Sequence, residues 1–340
     1  LSCALADTPL RVALIDAAPL VQSMPLAAPA SDVGINDFDL RVSALTVASQ
    51  QLLTKLGVWA AICAQRACGY QQMQVWDAEG TGSIHFDCAQ IHQPVLGHIV
   101  ENRLITTALA QQLPLISNVS VLTPQQLQSM ASQPDGRHEL LLDGGATLSA
   151  DLIVGAEGAR SKVRELMQLP TREWDYGHHA IVATVQCSKP HQYTARQRFL
   201  SSGPLAFLPL IPGASAAGKN AEAFCSIVWS AQTDYAKQLM ALDDLAFRHA
   251  LADAFEHRLG DVVAVSKRVM FPLRQRHAVD YVAAGIALIG DAAHTIHPLA
   301  GQGINLGLLD VAQLAHELKN GARRGLPCGD LALLERYQRN

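Results

Sequence analysis

Charge, aromatic rings and regularly spaced cysteines are all scarce in this chain. Only 16% of its 340 residues are charged and 5% aromatic, against 49% hydrophobic. The 26 Lys and Arg are outnumbered by 30 Asp and Glu and are scattered, so no basic face is offered and nucleic acid is excluded as a partner. Seven cysteines, an odd number without a CxxC pair, signal neither a disulfide framework nor a zinc ribbon, and reduced thiols in a cytoplasmic protein fit best. No apolar run approaches the roughly 18 residues that span a bilayer, and no basic-then-apolar leader is read at the first segment. Contact with the inner membrane is therefore expected to be peripheral at most. Repeats and low-complexity tracts are also missing. What remains is an apolar chain long enough to bury a large core, for which two domains are expected.

The most informative stretch runs from Gly285 to Asp310, GIALIGDAAHTIHPLAGQGINLGLLD. Ile286 to Ile289 is a short apolar run stopped by Gly290 and Asp291, the pattern of a buried parallel strand with a polar group at its carboxyl end, where open α/β sheets bind ligands. A loop with His294, His297 and Pro298 follows. Gly301, Gln302 and Gly303 then precede Ile304, Asn305 and a spacing of leucines that suits the start of a packed helix. The N–H groups and partial positive charge of such a helix end, with glycines that permit close approach, suit a phosphate or the electron-rich edge of a ring cofactor. The alternative is that Asp291 caps a helix and the glycines make a turn. His294 with His297, and His178 with His179, lack the acidic or cysteine company of a metal site, so no metal is expected.

Upstream, Arg11 to Asp16, RVALID, reads as a buried strand ending in an acid. Asp16 is a candidate for the ribose of a dinucleotide or a plain strand-end residue. Arg41 precedes a helical pattern from Ser49 to Leu56 closed by Gly57, and is either a solvated flanking charge or a planar clamp on a diphosphate. His98 to Leu113 reads as an amphipathic helix, with Arg103 on a solvated face or beside a cofactor. Ala150 to Arg164, ADLIVGAEGARSKVR, is a further buried strand followed by a helix start. From Thr171 to Pro272 the texture changes to period-two strands with Pro and Gly turns, which predicts an antiparallel sheet in a second domain.

Five stretches share a resemblance. GDAAHTIHPLAGQGINLGLLD matches without a gap the GD motif of FAD-dependent aromatic hydroxylases. ADLIVGAEGARSKVR resembles their DG motif, except that Glu157 stands where Asp is usual while Gly158, Ser161 and Arg164 keep the pattern. LRVSAL, with Glu101-Asn102-Arg103 and WDYGHHAIVAT, resembles the ubiquinone-biosynthesis hydroxylases among the class A flavin monooxygenases, and within them the branch acting on octaprenylphenols. The resemblance covers nearly the whole chain. It implies an α/β fold, a discontinuous Rossmann-like FAD-binding domain (1–60, 92–170 and 273–340) with an inserted, mainly antiparallel substrate domain (61–91 and 171–272). Asp16, Arg41, Glu157, Gly158, Arg164, Asp291, Pro298, Gly301, Gln302, Gly303, Ile304 and Asn305 would contact FAD. NAD(P)H as reductant, O2 and a polyprenylated phenol as substrates, and association with other ubiquinone-pathway proteins are implied in the same way. A related flavoprotein acting on another aromatic compound and a non-catalytic assembly subunit are the alternatives. No catalytic acid or base is named.

Before Asp16, dinucleotide folds carry a strand and a GxGxxG loop whose backbone binds the pyrophosphate. Neither is read in residues 1 to 340, so this stretch alone is expected to hold FAD weakly and to leave strand edges unpaired. Flavin titration of residues 1–340 against a chain extended through such a strand tests this; equal affinity would mean that the pyrophosphate site lies elsewhere.

Overall fold

The computed structural model describes residues 1–20, 33–213, 222–296 and 303–339. Two parallel strand pairs mark the expected nucleotide-binding segments. Val12–Ile15 pairs with Val119–Leu122, and Ile153–Gly155 pairs with Ile286–Leu288, which Val282–Ala283 extends in antiparallel sense. The pairs belong to separate sheets, yet they flank common cores: Val12 and Val154 pack on one cluster, Ile15 and Ile153 on another. Leu127–Ser132, His138–Leu142 and Thr147–Ala150 form an antiparallel meander alongside.

A nine-stranded sheet makes the second body. Its longest strand, Thr171–Cys187, pairs antiparallel with Phe224–Gln232 on one side and with Val269–Ala278 and Val262–Val265 on the other. Beyond Phe224–Gln232 lie Gly203–Leu210, Thr194–Leu200, Gln72–Asp77 and Ser83–Asp87; Thr194–Leu200 with Gln72–Asp77 is the parallel exception. Period-two alternation divides its faces. Ile181, Ala183, Val185, Phe207, Ile227 and Trp229 point one way, onto helices Thr233–Ala241 and Asp244–Ala254. Leu208, Leu210 and Phe224 point the other way, onto a small antiparallel sheet of Val42–Leu45, Gly97–Glu101 and Ala67–Tyr70.

That small sheet corrects two expectations. Gly97–Glu101 is a strand, and the helix starts only at Asn102, ending at Gln112. Both faces of this strand are covered, Ile99 toward the large sheet and Val100 toward helices, so its apolar run lacks the alternation that marks a strand. The expected boundary at residue 61 cuts helix Trp59–Gln65, and Ala67–Tyr70 stays with the first segment; the chain enters the large sheet at Gln72. All seven cysteines are free thiols, and no described helix is long and apolar enough to cross a membrane.

Helix Gly303–Arg323 lies across the end of strand Ile286–Leu288. Gly290 is in the left-handed region (φ +58°), and a Cβ built at Gly307 would come within 3.2 Å of the Gly290 Cα. Side chains there would hold helix and strand end apart. The contact is locked by Asp310, whose Oδ2 accepts from Gly290 N at 2.7 Å and from His294 Nε2 at 2.7 Å. Further along the same helix, a Cβ at Gly321 would strike Leu333 of helix Leu331–Arg339 at 2.2 Å, and Tyr337 of that helix donates to Leu288 O at 2.7 Å.

Burial alone would lower the pKa of His294, but the hydrogen bond and charge of Asp310, with Asp291 adding, outweigh it and move the imidazole upward. A raised folded pKa stabilises fully below the unfolded value of roughly 6.5, and that contribution is lost as pH rises through the folded value. Asp310→Asn should therefore cost about 2 kcal/mol at about pH 6 and less at about pH 8.5. Urea unfolding at the two pH values checks this, and a cost that does not shrink with pH would refute the ion pair.

Candidate cofactor site

Three segments far apart in sequence are drawn together by side-chain to backbone bonds. Asn305, 5% exposed in the first turn of its helix, donates from Nδ2 to Ala44 O at 2.7 Å. Its Oδ1 accepts from Thr46 N at 3.0 Å and from Ser49 Oγ at 2.7 Å. The helix end is thereby fixed to the strand Val42–Leu45 that follows Arg41 and to the start of helix Val47–Lys55, which Thr46 caps. Arg164 performs the corresponding service on the opposite side. It is 8% exposed and donates at 2.6 Å to Ala292 O and at 2.6 Å to Ala159 O, joining the segment around Gly158 to the turn that holds Asp291. Desolvation, then the like charge of Arg276, lowers the Arg164 pKa, with Glu157 and Glu173 opposing. Arg276 adds a bond to Ala159 O and a two-pronged grip on Glu173.

Around this frame, Asp291 and Arg41 are close enough to feel each other's charge. Asp291 lies inside the 3-10 turn Gly290–Ala292, not at its cap, Ile289, so the capping alternative fails. Its edge is open to solvent, but the protein mass around it raises the carboxyl pKa, with His294 and Arg41 pulling downward. Arg41 is exposed. Gly158 has φ +87°, and a Cβ built there or at Gly303 meets nothing within 4 Å among the described residues. Ile304 packs into the core formed by Leu45, Leu53 and Leu104. Asp16 stands exposed at the end of Val12–Ile15, its Oδ1 accepting from Ala18 N at 2.8 Å. Pro298, Gly301 and Gln302 lie outside the described residues.

Several side chains expected at the cofactor bond within the protein. Those of Asn305 and Arg164 meet its own backbone, and Asn305 also meets the Ser49 hydroxyl. Glu157 Oε1 accepts from Ser161 Oγ at 2.8 Å and from Val163 N at 2.7 Å, so the longer acid closes the turn into helix Lys162–Leu166. Asp310, Gly307 and Ser49 were not singled out from sequence. Gly303, Gly307, Asp310 and Leu314 recur at helical spacing on one face, which is the signal that would have found the first two. His178 Nδ1 lies 2.7 Å from Tyr176 O and His179 Nδ1 3.1 Å from Thr233 Oγ1. No group of three or more metal-binding side chains occurs among the described residues.

A carboxylate to accept, with an arginine, a helix N-terminus and glycine backbones to donate, suits the ribityl and diphosphate groups of a flavin dinucleotide. The comparisons with known proteins agree. The profile of the FAD binding domain family matches residues 37–339. The chain is 38% identical over 312 residues to 3-demethoxyubiquinol 3-hydroxylase of Escherichia coli (strain K12), covering 92% of this chain and 76% of that one. It is 34% identical over 341 residues to the human ubiquinone biosynthesis monooxygenase COQ6, mitochondrial, covering 88% of this chain and 70% of the relative. The fold matches Pseudomonas aeruginosa PqsL with a TM-score of 0.79 at 19% identity, over 99% of this chain and 87% of that one. The chain is thus an FAD-dependent monooxygenase, and it belongs to the FAD binding domain family alongside the ubiquinone-biosynthesis hydroxylases.

Proposed function

We propose that the protein hydroxylates the aromatic ring of a polyprenylated phenol in ubiquinone biosynthesis, with O2 as the oxygen source and NAD(P)H as reductant. The observation that carries the cofactor half of this reading is the bonded frame of Asn305, Arg164 and Asp310, which surrounds Asp291, Arg41, Gly158 and the helix end at Gly303. In it Asp291 accepts from the ribityl hydroxyls, Arg41 clamps the diphosphate, and the helix dipole favours negative charge on the ring. Asp16 at its strand end takes the adenosine ribose, and Pro298, Gly301 and Gln302 complete the loop by resemblance. Bound FAD supplies the oxygen-activating chemistry. The residues of this chain bind it, orient the substrate ring and keep water away.

The substrate half is supported by the face of the large sheet that lies opposite its helices. The region beside Leu205 to Ile211 is nearly closed. Leu205 turns toward the helices, whereas Ala206 and Leu208 face Ala44, Tyr70, Met73 and Ile99 across a cavity of about 10 Å³, room for a single water. Ala44 is also the residue whose carbonyl holds Asn305. A prenyl chain entering here would push apart a pair of apolar surfaces next to the cofactor frame. Relatives named for quinone intermediates support this substrate class over other aromatic compounds, and the complete frame favours an enzyme over a non-catalytic subunit.

Asp291→Ala should weaken FAD retention by about 10-fold or more while leaving the unfolding midpoint nearly unchanged, since an exposed carboxylate outside a cap contributes little to folding. Flavin content after purification and thermal unfolding of the apoprotein test this; full flavin occupancy would remove Asp291 from the site.

Affinity for substrate should climb with tail length, at about 0.8 kcal/mol for each CH2 group that becomes buried. Equal binding of tailless and polyprenylated phenols would overturn the substrate class, and the intermediate accumulated by a strain lacking this gene, identified by mass, would name the ring.

A further inference from the structure

Arg41 stands exposed, and its usefulness as a clamp depends on where its backbone is held. Two carboxylates hold it. Glu101 is 1% exposed; its Oε1 lies 2.8 Å from Arg66 Nε, and its Oε2 lies 2.8 Å from Arg103 Nε and accepts from Asp39 N at 2.9 Å. Asp39 in turn accepts Arg41 N on Oδ1 at 3.1 Å and Arg103 N on Oδ2 at 3.0 Å. That second contact falls in the first turn of helix Asn102–Gln112, where a carboxylate is favoured by the helix dipole. The carbonyl of Arg41 accepts from Asn102 N at 2.9 Å. Arg66 and Arg103 both also donate to Asp37 O, and the Arg66 guanidinium lies 5.0 Å over the Phe38 ring.

A carboxylate this deeply buried persists only when paired; two guanidiniums and a backbone N–H converge on Oε2, while Oε1 has the charge of Arg66 beside it but accepts no hydrogen bond. The arrangement is more elaborate than closing the core requires. Phe38 already seals this edge against Phe224. What the polar network adds is placement of consecutive peptides: Asp39 N is bonded to Glu101 on the neighbouring strand and Arg41 O to Asn102 at the start of the helix, while Arg41 N is held locally by Asp39 Oδ1.

We propose that Glu101 and Asp39 are positioning residues for Arg41, holding its backbone so that the guanidinium is presented to the FAD diphosphate before the cofactor arrives. The inference rests on the reading of Arg41 as the diphosphate clamp. Preorganisation raises affinity by lowering the ordering cost of binding, so loss of either carboxylate weakens FAD through Arg41 and by no other route.

The test is FAD titration of the full chain by flavin fluorescence at several salt concentrations, for the wild type, Arg41→Ala, Glu101→Gln, Asp39→Ala and the doubles with Arg41→Ala. Glu101→Gln and Asp39→Ala should each weaken FAD about 10-fold and flatten the salt dependence that an arginine–phosphate contact confers. Neither should add to Arg41→Ala, because coupled residues are non-additive. A merely structural role predicts the opposite: losses that persist undiminished in the Arg41→Ala background, or a lowered unfolding midpoint with unchanged FAD affinity, and either overturns the proposal. If Glu101→Gln fails to fold, Asp39→Ala decides alone, since it leaves the Glu101 ion pairs in place; wild-type affinity and salt dependence in that variant overturn the proposal. Unchanged affinity in Arg41→Ala would instead show that the clamp reading has failed, and the positioning role would fall with it.

Discussion

One oxygen of Asp310 carries much of the architecture. It accepts at once from the backbone N–H of Gly290 and from His294, and it does so from the third turn of the helix that begins at Gly303. Because Gly290 and Gly307 bring helix and strand end into backbone contact, this carboxylate sits where apolar side chains cannot reach. The docking it enforces has consequences in two directions. Toward the helix N-terminus it sets where Asn305 can meet Ala44, Thr46 and Ser49; toward the strand it sets the turn whose Ala292 carbonyl receives Arg164. A cofactor frame assembled from three distant segments thus depends on one helix lying flat against one strand end.

Much of this was legible in the chain and some of it was not. The strand ending at Gly290 follows from its sharp stop and the helix beginning at Gly303 from its apolar spacing, while the large sheet, covered on both faces, is legible from runs bounded by Pro and Gly turns. Gly97–Glu101 escaped because it is buried on both sides and merges with the amphipathic helix behind it. Residue identity was a better guide to which side chains matter than to what they do. Asn305 and Arg164 were expected to contact the cofactor, and each meets a carbonyl of the protein more than 100 positions away, a pairing that no local spacing encodes. Glu157 looked like a departure from its motif; its extra methylene lets the carboxylate reach Val163 N and close the turn. Glu101 could be read only within a motif, since its meaning lies in Arg66, thirty-five positions earlier.

The large sheet and the cofactor frame are also one mechanical object. His294–Thr295, from the turn region itself, forms the edge strand of that sheet by pairing with Arg276 and His277, and Arg276 reaches across to Ala159. The sheet that packs helices on one face therefore presents its other face to the small sheet of Val42–Leu45, Gly97–Glu101 and Ala67–Tyr70. Ala206 and Leu208 on that face oppose Ala44 and Ile99, and Ala44 is bonded to Asn305. A ring lodged between these surfaces would be positioned by strands that are hydrogen-bonded, through a short chain of contacts, to the segments proposed to hold the cofactor. Orientation of substrate against cofactor then requires no dedicated side chain to point the ring. It follows from the ladder, whose register moves every side chain to the opposite face if it slips by a single residue.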